Sequence, residues 1–156
     1  MPLPCLDKNL TKKELLDYFD NTWTLTEALF TCLKSEEGFY IKASHKLRHP
    51  LIFYYGHPAA LYINKLQVAG VMNKGVNPHY EKLFETGVDE MSWDDMDVQA
   101  WPSVMEVKAY RKTVYETVVS LIKSMKEEDI RCINTSSKYW ALVMSMEHER
   151  IHLETS

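Results

Sequence analysis

Apolar residues recurring every three or four positions, in runs opened by capping boxes and nearly free of glycine, restrict this chain to packed helices. Thr11-Lys-Lys-Glu14 opens the first run, with a hydroxyl and a carboxylate placed to satisfy each other's orphan backbone donors. Leu15, Leu16, Phe19, Trp23, Phe30 and Leu33 follow as one stripe, predicted to face a core until Glu37-Gly38 ends the helix. Pro50 suits a first turn, where its missing N–H has no partner to lose. It predicts a second helix, apolar or aromatic almost all round, running to about Ala69-Gly70. Ser103-Val-Met-Glu106 repeats the capping box, and Val107, Tyr110, Val114, Val118, Leu121 and Met125 carry a third helix to about Lys126. The segment EEDIRCINTSS breaks the period; Thr135, Ser136 or Ser137 can then cap a fourth helix carrying Trp140, Val143, Met144 and Ile151. Between helices two and three, residues 70–102 turn to Gly, Asn, Pro and acidic side chains, too long a stretch for a hairpin turn. The expected fold class is all-α: a four-helix bundle with a long crossover between helices two and three.

Composition removes several alternatives. Five Gly and six Pro are too few for the turns of a β-sandwich or barrel. A net charge of -4 gives no pull toward nucleic acid or acidic membranes. At 156 residues the chain has a single-domain length, so residues 1–156 are expected to form one helical domain. Cys5, Cys32 and Cys132 form no CxxC pair, which suits a reducing compartment; Cys32 and Cys132 read as small core residues and Cys5 as part of a tail. No stretch approaches 18 apolar residues and the first ten residues lack a secretory pattern, so a soluble, cytoplasmic domain is expected. Helix four has a start but no stop signal before Ser156, and the chain is therefore expected to be the N-terminal piece of a longer enzyme.

Six histidines are the main resource for chemistry. His148 and His152 are i, i+4 neighbours, so both imidazoles leave one helix face about a turn apart, a spacing suited to chelation. Ser145 and Ala141, further back along that face, are small enough to leave room for a ligand. His148-Glu149-Arg150-Ile151-His152 also matches H-E-x-x-H, in which Glu149 would serve a zinc protease as general base. Such proteases take a third ligand from downstream, where only Leu153 to Ser156 remain, and Glu149 is accordingly expected to be solvated. Among upstream candidates, His49 precedes Pro50, which disfavours helical geometry, and His79 falls in the polar crossover. His57 lies in the apolar second helix, and with His148 and His152 facing the same interior it completes a three-histidine set. Pro58 beside it would either distort that helix or mark a start near His57. The acidic run Asp89, Glu90, Asp94, Asp95 and Asp97 lacks the order of a calcium loop and reads as solvated, with Trp93 and Trp101 pinning the crossover to the bundle or to a further domain.

One histidine on helix two and an H-x-x-x-H on helix four resemble the metal-binding DinB-like four-helix bundles. The likeness sharpens in four ordered blocks: Leu47-Arg-His-Pro-Leu-Ile-Phe-Tyr-Tyr-Gly-His57, Tyr62-Ile-Asn-Lys-Leu66, Gly87-Val-Asp-Glu-Met-Ser-Trp-Asp-Asp95 and Glu147-His-Glu-Arg-Ile-His-Leu-Glu-Thr-Ser156. Together these resemble the N-terminal domain of the ovothiol-biosynthetic histidylcysteine sulfoxide synthases, relatives of the ergothioneine sulfoxide synthases. The resemblance implies a non-haem Fe(II) enzyme that uses oxygen to join cysteine to the imidazole of histidine, with the iron held by His57, His148 and His152. It also implies a C-terminal formylglycine-generating-enzyme-like domain that supplies most substrate contacts and the catalytic tyrosine, so no catalytic residue is assigned to this chain. The competing reading is a stand-alone DinB-like thiol transferase or metal-dependent hydrolase, and a third is a helical module whose histidines are structural.

Overall fold

In the computed structural model, residues 1–7, 9–45, 48–85 and 101–155 are described, and they are helical with no strand among them. Helix α1 spans Lys12–Thr31, α2 Leu51–Val68, α3 Pro78–Leu83, α4 Val104–Ser124, α5 Glu127–Arg131 and α6 Trp140–Thr155. The four long helices α1, α2, α4 and α6 form the bundle, with α2 packed on both α4 and α6, and α1 likewise. Both predicted capping boxes form: Thr11 Oγ1 accepts from the Glu14 amide and Ser103 Oγ from the Glu106 amide, while each glutamate reaches back.

Helix α1 ends earlier than its stripe suggests. Cys32 caps it, and the chain turns through a short 3-10 segment, Glu36–Tyr40, that buries Phe39 against Phe30 with ring centroids 5.8 Å apart. The apolar period continues past the helix end because Phe39 returns to the same core. Helix α2 starts at Leu51 with Pro50 in the capping position and passes through Pro58 without breaking. The choice left open by Pro58 is thus resolved in favour of one continuous helix, in which the Tyr54 carbonyl lacks its usual amide donor.

The crossover is not structureless. Asn77 caps the short α3, and the buried Glu81 carboxylate accepts from the Val76 and Asn77 amides at 2.6 and 2.9 Å. A Cβ at Gly75 would fall 1.9 Å from a Glu81 carboxylate oxygen, so glycine leaves room for that carboxylate. Trp101 packs against Phe53 and stacks on Phe84, pinning the crossover to the bundle as expected. Trp93 and the acidic run from Asp89 to Asp97 lie outside the described residues.

The segment expected to be irregular before α6 contains α5, which buries Ile130, and the hydroxyl of Ser137 accepts from the Tyr139 amide at 3.2 Å just ahead of α6. Cys32 and Cys132 are exposed, correcting their assignment to the core; each stands at a helix C-terminal cap, outside the buried stripe. No described helix is long and apolar enough to cross a membrane.

Candidate metal centre

Helices α2 and α6 place the site. On α2, Phe53 and Tyr54 lie four and three positions before His57 and all three are buried, so His57 projects from an aromatic wall. On α6, His148 and His152 are half-buried on one face, one turn apart. One ring nitrogen from each of His57, His148 and His152 lies within 4.8 Å of the others. The Nε2 atoms of His148 and His152 are 3.3 Å apart, and the His57 ring centroid is 5.1 Å from that of His148 and 4.9 Å from that of His152. His45 and His79 are exposed, while His49 is buried by stacking on Phe53. None of these three belongs to the cluster.

Two observations suit this cluster to a metal. Ligand nitrogens sit about 2.0–2.1 Å from a zinc-class ion, so two in neighbouring positions lie roughly 3.0–3.4 Å apart, the separation seen for His148 and His152. Burial is the main force holding all three imidazoles neutral: it lowers His57, lowers His148 to about 4 and His152 to about 3, with the neighbouring imidazoles adding to the last two. Neutral imidazole is the form that offers a lone pair.

His57 has a second partner that sequence reasoning missed. Its Nδ1 lies 2.6 Å from the carbonyl oxygen of Phe84, which can only accept, so Nδ1 carries the proton and Nε2 keeps the lone pair. A histidine ligand oriented by a backbone carbonyl is a common outer-shell arrangement. Phe84 is seated there because residue 56 is glycine: a Cβ at Gly56 would come within 2.5 Å of the Phe84 ring. Glycine inside a helix costs about 1 kcal/mol relative to alanine, a departure from helix preference that signals a close approach.

Glu149 is not solvated, and this corrects the sequence expectation. It is fully buried and turned into the bundle, where Thr26 Oγ1 donates to one carboxylate oxygen at 2.8 Å and the Tyr62 hydroxyl to the other at 2.9 Å. Arg111, 1 % exposed, brings Nη2 to 3.5 Å as an ion pair rather than a directed hydrogen bond. Arg111 also donates to Glu27 at 2.7 Å and to the Tyr55 carbonyl at 2.9 Å, and its guanidinium lies over the Trp23 ring. Burial pushes the Glu149 carboxyl up, opposed by Arg111 and by the two hydroxyl donors. The signal was available in the spacing: Leu142, Met146 and Glu149 are i, i+4, i+7 on the buried face of α6, and Arg111 follows Val107 and precedes Val114 on that of α4. With its carboxylate engaged by α1, α2 and α4, Glu149 has no role as a base toward a peptide. Ser145 likewise is fully buried and donates to the Ala141 carbonyl at 2.7 Å.

Comparison with known proteins places the chain. Residues 18–156 match the DinB superfamily. The chain belongs to the DinB superfamily. It is similar to Ergothioneine biosynthesis protein 1 of Schizosaccharomyces pombe (strain 972 / ATCC 24843), 32% identical over 123 residues, covering 70% of this chain and 15% of that protein. It is similar also to Ergothioneine biosynthesis protein 1 of Neurospora crassa, 27% identical over 149 residues, covering 90% of this chain and 16% of that protein. The chain thus spans about a sixth of the length of these relatives, and all three clustered histidines fall within its DinB-superfamily match.

Proposed function

We propose that this DinB-superfamily chain is the metal-ligand domain of an iron(II)- and oxygen-dependent sulfoxide synthase that joins the sulfur of cysteine to the imidazole of histidine, as in ovothiol biosynthesis. The carrying observation is the convergence of His57, His148 and His152 from two helices onto one point, in a chain similar to proteins named for ergothioneine biosynthesis. His57, His148 and His152 would hold the iron, which would supply the redox chemistry for joining the cysteine sulfur to the histidine imidazole at the expense of oxygen. The donor set alone suits Zn, Cu, Fe and Ni alike, so iron is taken from the family resemblance.

The chain's own residues hold and prepare this site. The Phe84 carbonyl fixes the His57 tautomer, burial keeps the imidazoles unprotonated near neutral pH, and Phe53 stacks on the His57 ring at 4.9 Å, limiting water on that side. His152, in the last turn of α6, is the ligand most exposed to fraying. The ovothiol assignment rests on the four sequence blocks, as does the further partner, a formylglycine-generating-enzyme-like domain that would complete the substrate pocket. Bringing oxygen and two substrates into register is worth about 7–11 kcal/mol of barrier, and that positioning is assigned to the second domain.

The test supplies iron(II), oxygen, cysteine and histidine to residues 1–156 and to a longer protein containing them, with products read by mass spectrometry. Sulfoxide product is expected only from the longer protein. Product from the isolated chain would overturn the division of labour, and none from either would favour the thiol transferase or hydrolase reading.

A further inference from the structure

The C-terminal half of α6 has no apolar stripe to set its rotation. Leu142, Val143 and Met146 bury the first half, but beyond Met146 the only described residue sealed from solvent is Glu149, and Ile151 is 58% exposed. A segment whose inward face is polar is oriented by directed bonds rather than by buried area. Two such bonds arrive from Thr26 of α1 and Tyr62 of α2, and an ion pair from Arg111 of α4 adds a third helix. Flanking residues pull the same way: Arg150 donates to Thr22 and Asn21 at 2.9 and 2.8 Å, and the Tyr18 hydroxyl donates to Glu147.

At 3.6 residues per turn, His148 and His152 both lie to one side of Glu149, by roughly 60–100°. Holding the carboxylate therefore sets the direction of both imidazoles. A buried ion pair is weak support for stability alone, since well-packed apolar replacements are often neutral or better, and the best-attested use of such pairs is to specify register.

We propose that Glu149 is a positioning residue for the three-histidine site: its buried carboxylate, held by Thr26, Tyr62 and Arg111, sets the rotation of α6 that brings His148 and His152 onto His57. This rests on reading those histidines as a metal site. Removing outer-shell support typically lowers metal affinity about 10–100-fold, which sets the scale expected here.

Cobalt(II) alone, titrated into the chain and followed by its visible ligand-field band, is the probe. Thr26→Val and Tyr62→Phe remove one donor each and leave the carboxylate in place; each should weaken cobalt binding and shift the band, and together they should cost about tenfold or more. Glu149→Gln, which keeps the shape but loses the charge, should move affinity and band in the same direction. Leu142→Ala, in the apolar half of α6, should lower the urea midpoint at least as much yet leave cobalt affinity within about twofold. Unchanged affinity and band in the Thr26 and Tyr62 variants, or an equal affinity loss in Leu142→Ala, would overturn the proposal. If His57→Ala also binds cobalt like the unaltered chain, the metal reading itself falls, a result separate from the behaviour of the Glu149 partners.

Discussion

Gly56 and Phe84 meet so closely that any larger residue on α2 would displace the crossover: a Cβ on Gly56 would stand 2.5 Å from the Phe84 ring. Because the Phe84 carbonyl is the partner of His57 Nδ1, this approach links the backbone of one residue to the orientation of the next.

Gly56→Ala should therefore reduce metal affinity more than it reduces stability. Alanine gains about 1 kcal/mol of helix propensity, while displacing a fully buried ring costs about 1–3 kcal/mol, so the two nearly offset in the fold. The displaced carbonyl has no such offset. Parallel urea unfolding and cobalt(II) titration check this, and unchanged affinity with a lowered urea midpoint would show that Phe84 only packs.

His57→Ala should abolish tight binding of a divalent metal while the helical circular-dichroism spectrum persists. His45→Ala and His79→Ala, at exposed positions, should leave metal content as it was. Elemental analysis after identical loading decides between them, and a loss at either control position would mean that the third ligand lies elsewhere.

The metal-free chain should lose stability as pH falls below about 6.5. Folded His148 titrates at about 4 and His152 at about 3, both below the ordinary value of 6.5. Above 6.5 both are neutral in folded and unfolded chains and contribute no slope. Between 6.5 and about 4 the unfolded chain binds more protons, so unfolding is favoured as pH drops; near 3 the effect of these two groups levels off. Urea midpoints measured in chelator across this range test it, and His148→Gln with His152→Gln should flatten the slope.

Tyr54→Phe should stabilise the metal-free fold. The Tyr54 hydroxyl is buried with no hydrogen-bond partner among the described residues, and leaving such a group unsatisfied costs about 1–3 kcal/mol. A raised urea midpoint is the expected readout. A fall would mean that the hydroxyl is satisfied in solution, for instance by water at the histidine site.

The long helices and the His148 and His152 pair were legible in the sequence because each depends on local spacing, whereas His57 was selected by its place in the apolar second helix. Capping at Thr11 and Ser103 is an interaction across three residues, and His148 and His152 share a face by the helical repeat alone. Glu149 was misread because its meaning lies 123 residues away at Thr26 and 87 away at Tyr62, partners that no local pattern announces. A charged side chain in the buried register of α6, matched by Arg111 in the buried register of α4, was the trace left in the sequence. Phe84 was harder still, since the group that holds His57 is a main-chain carbonyl, which every residue possesses.

Phe84 and Trp101 stack with centroids 6.1 Å apart, so the two ends of residues 85–100 are fastened together beside His57. Extra residues inserted between such clamped ends add only about 0.6 kcal/mol of closure entropy per doubling of the loop. A change of chain length between the two rings is consequently cheap for the bundle. The clamp of Phe84 on Trp101 thus shields the α2 wall that carries His57 from changes of chain length between the two rings.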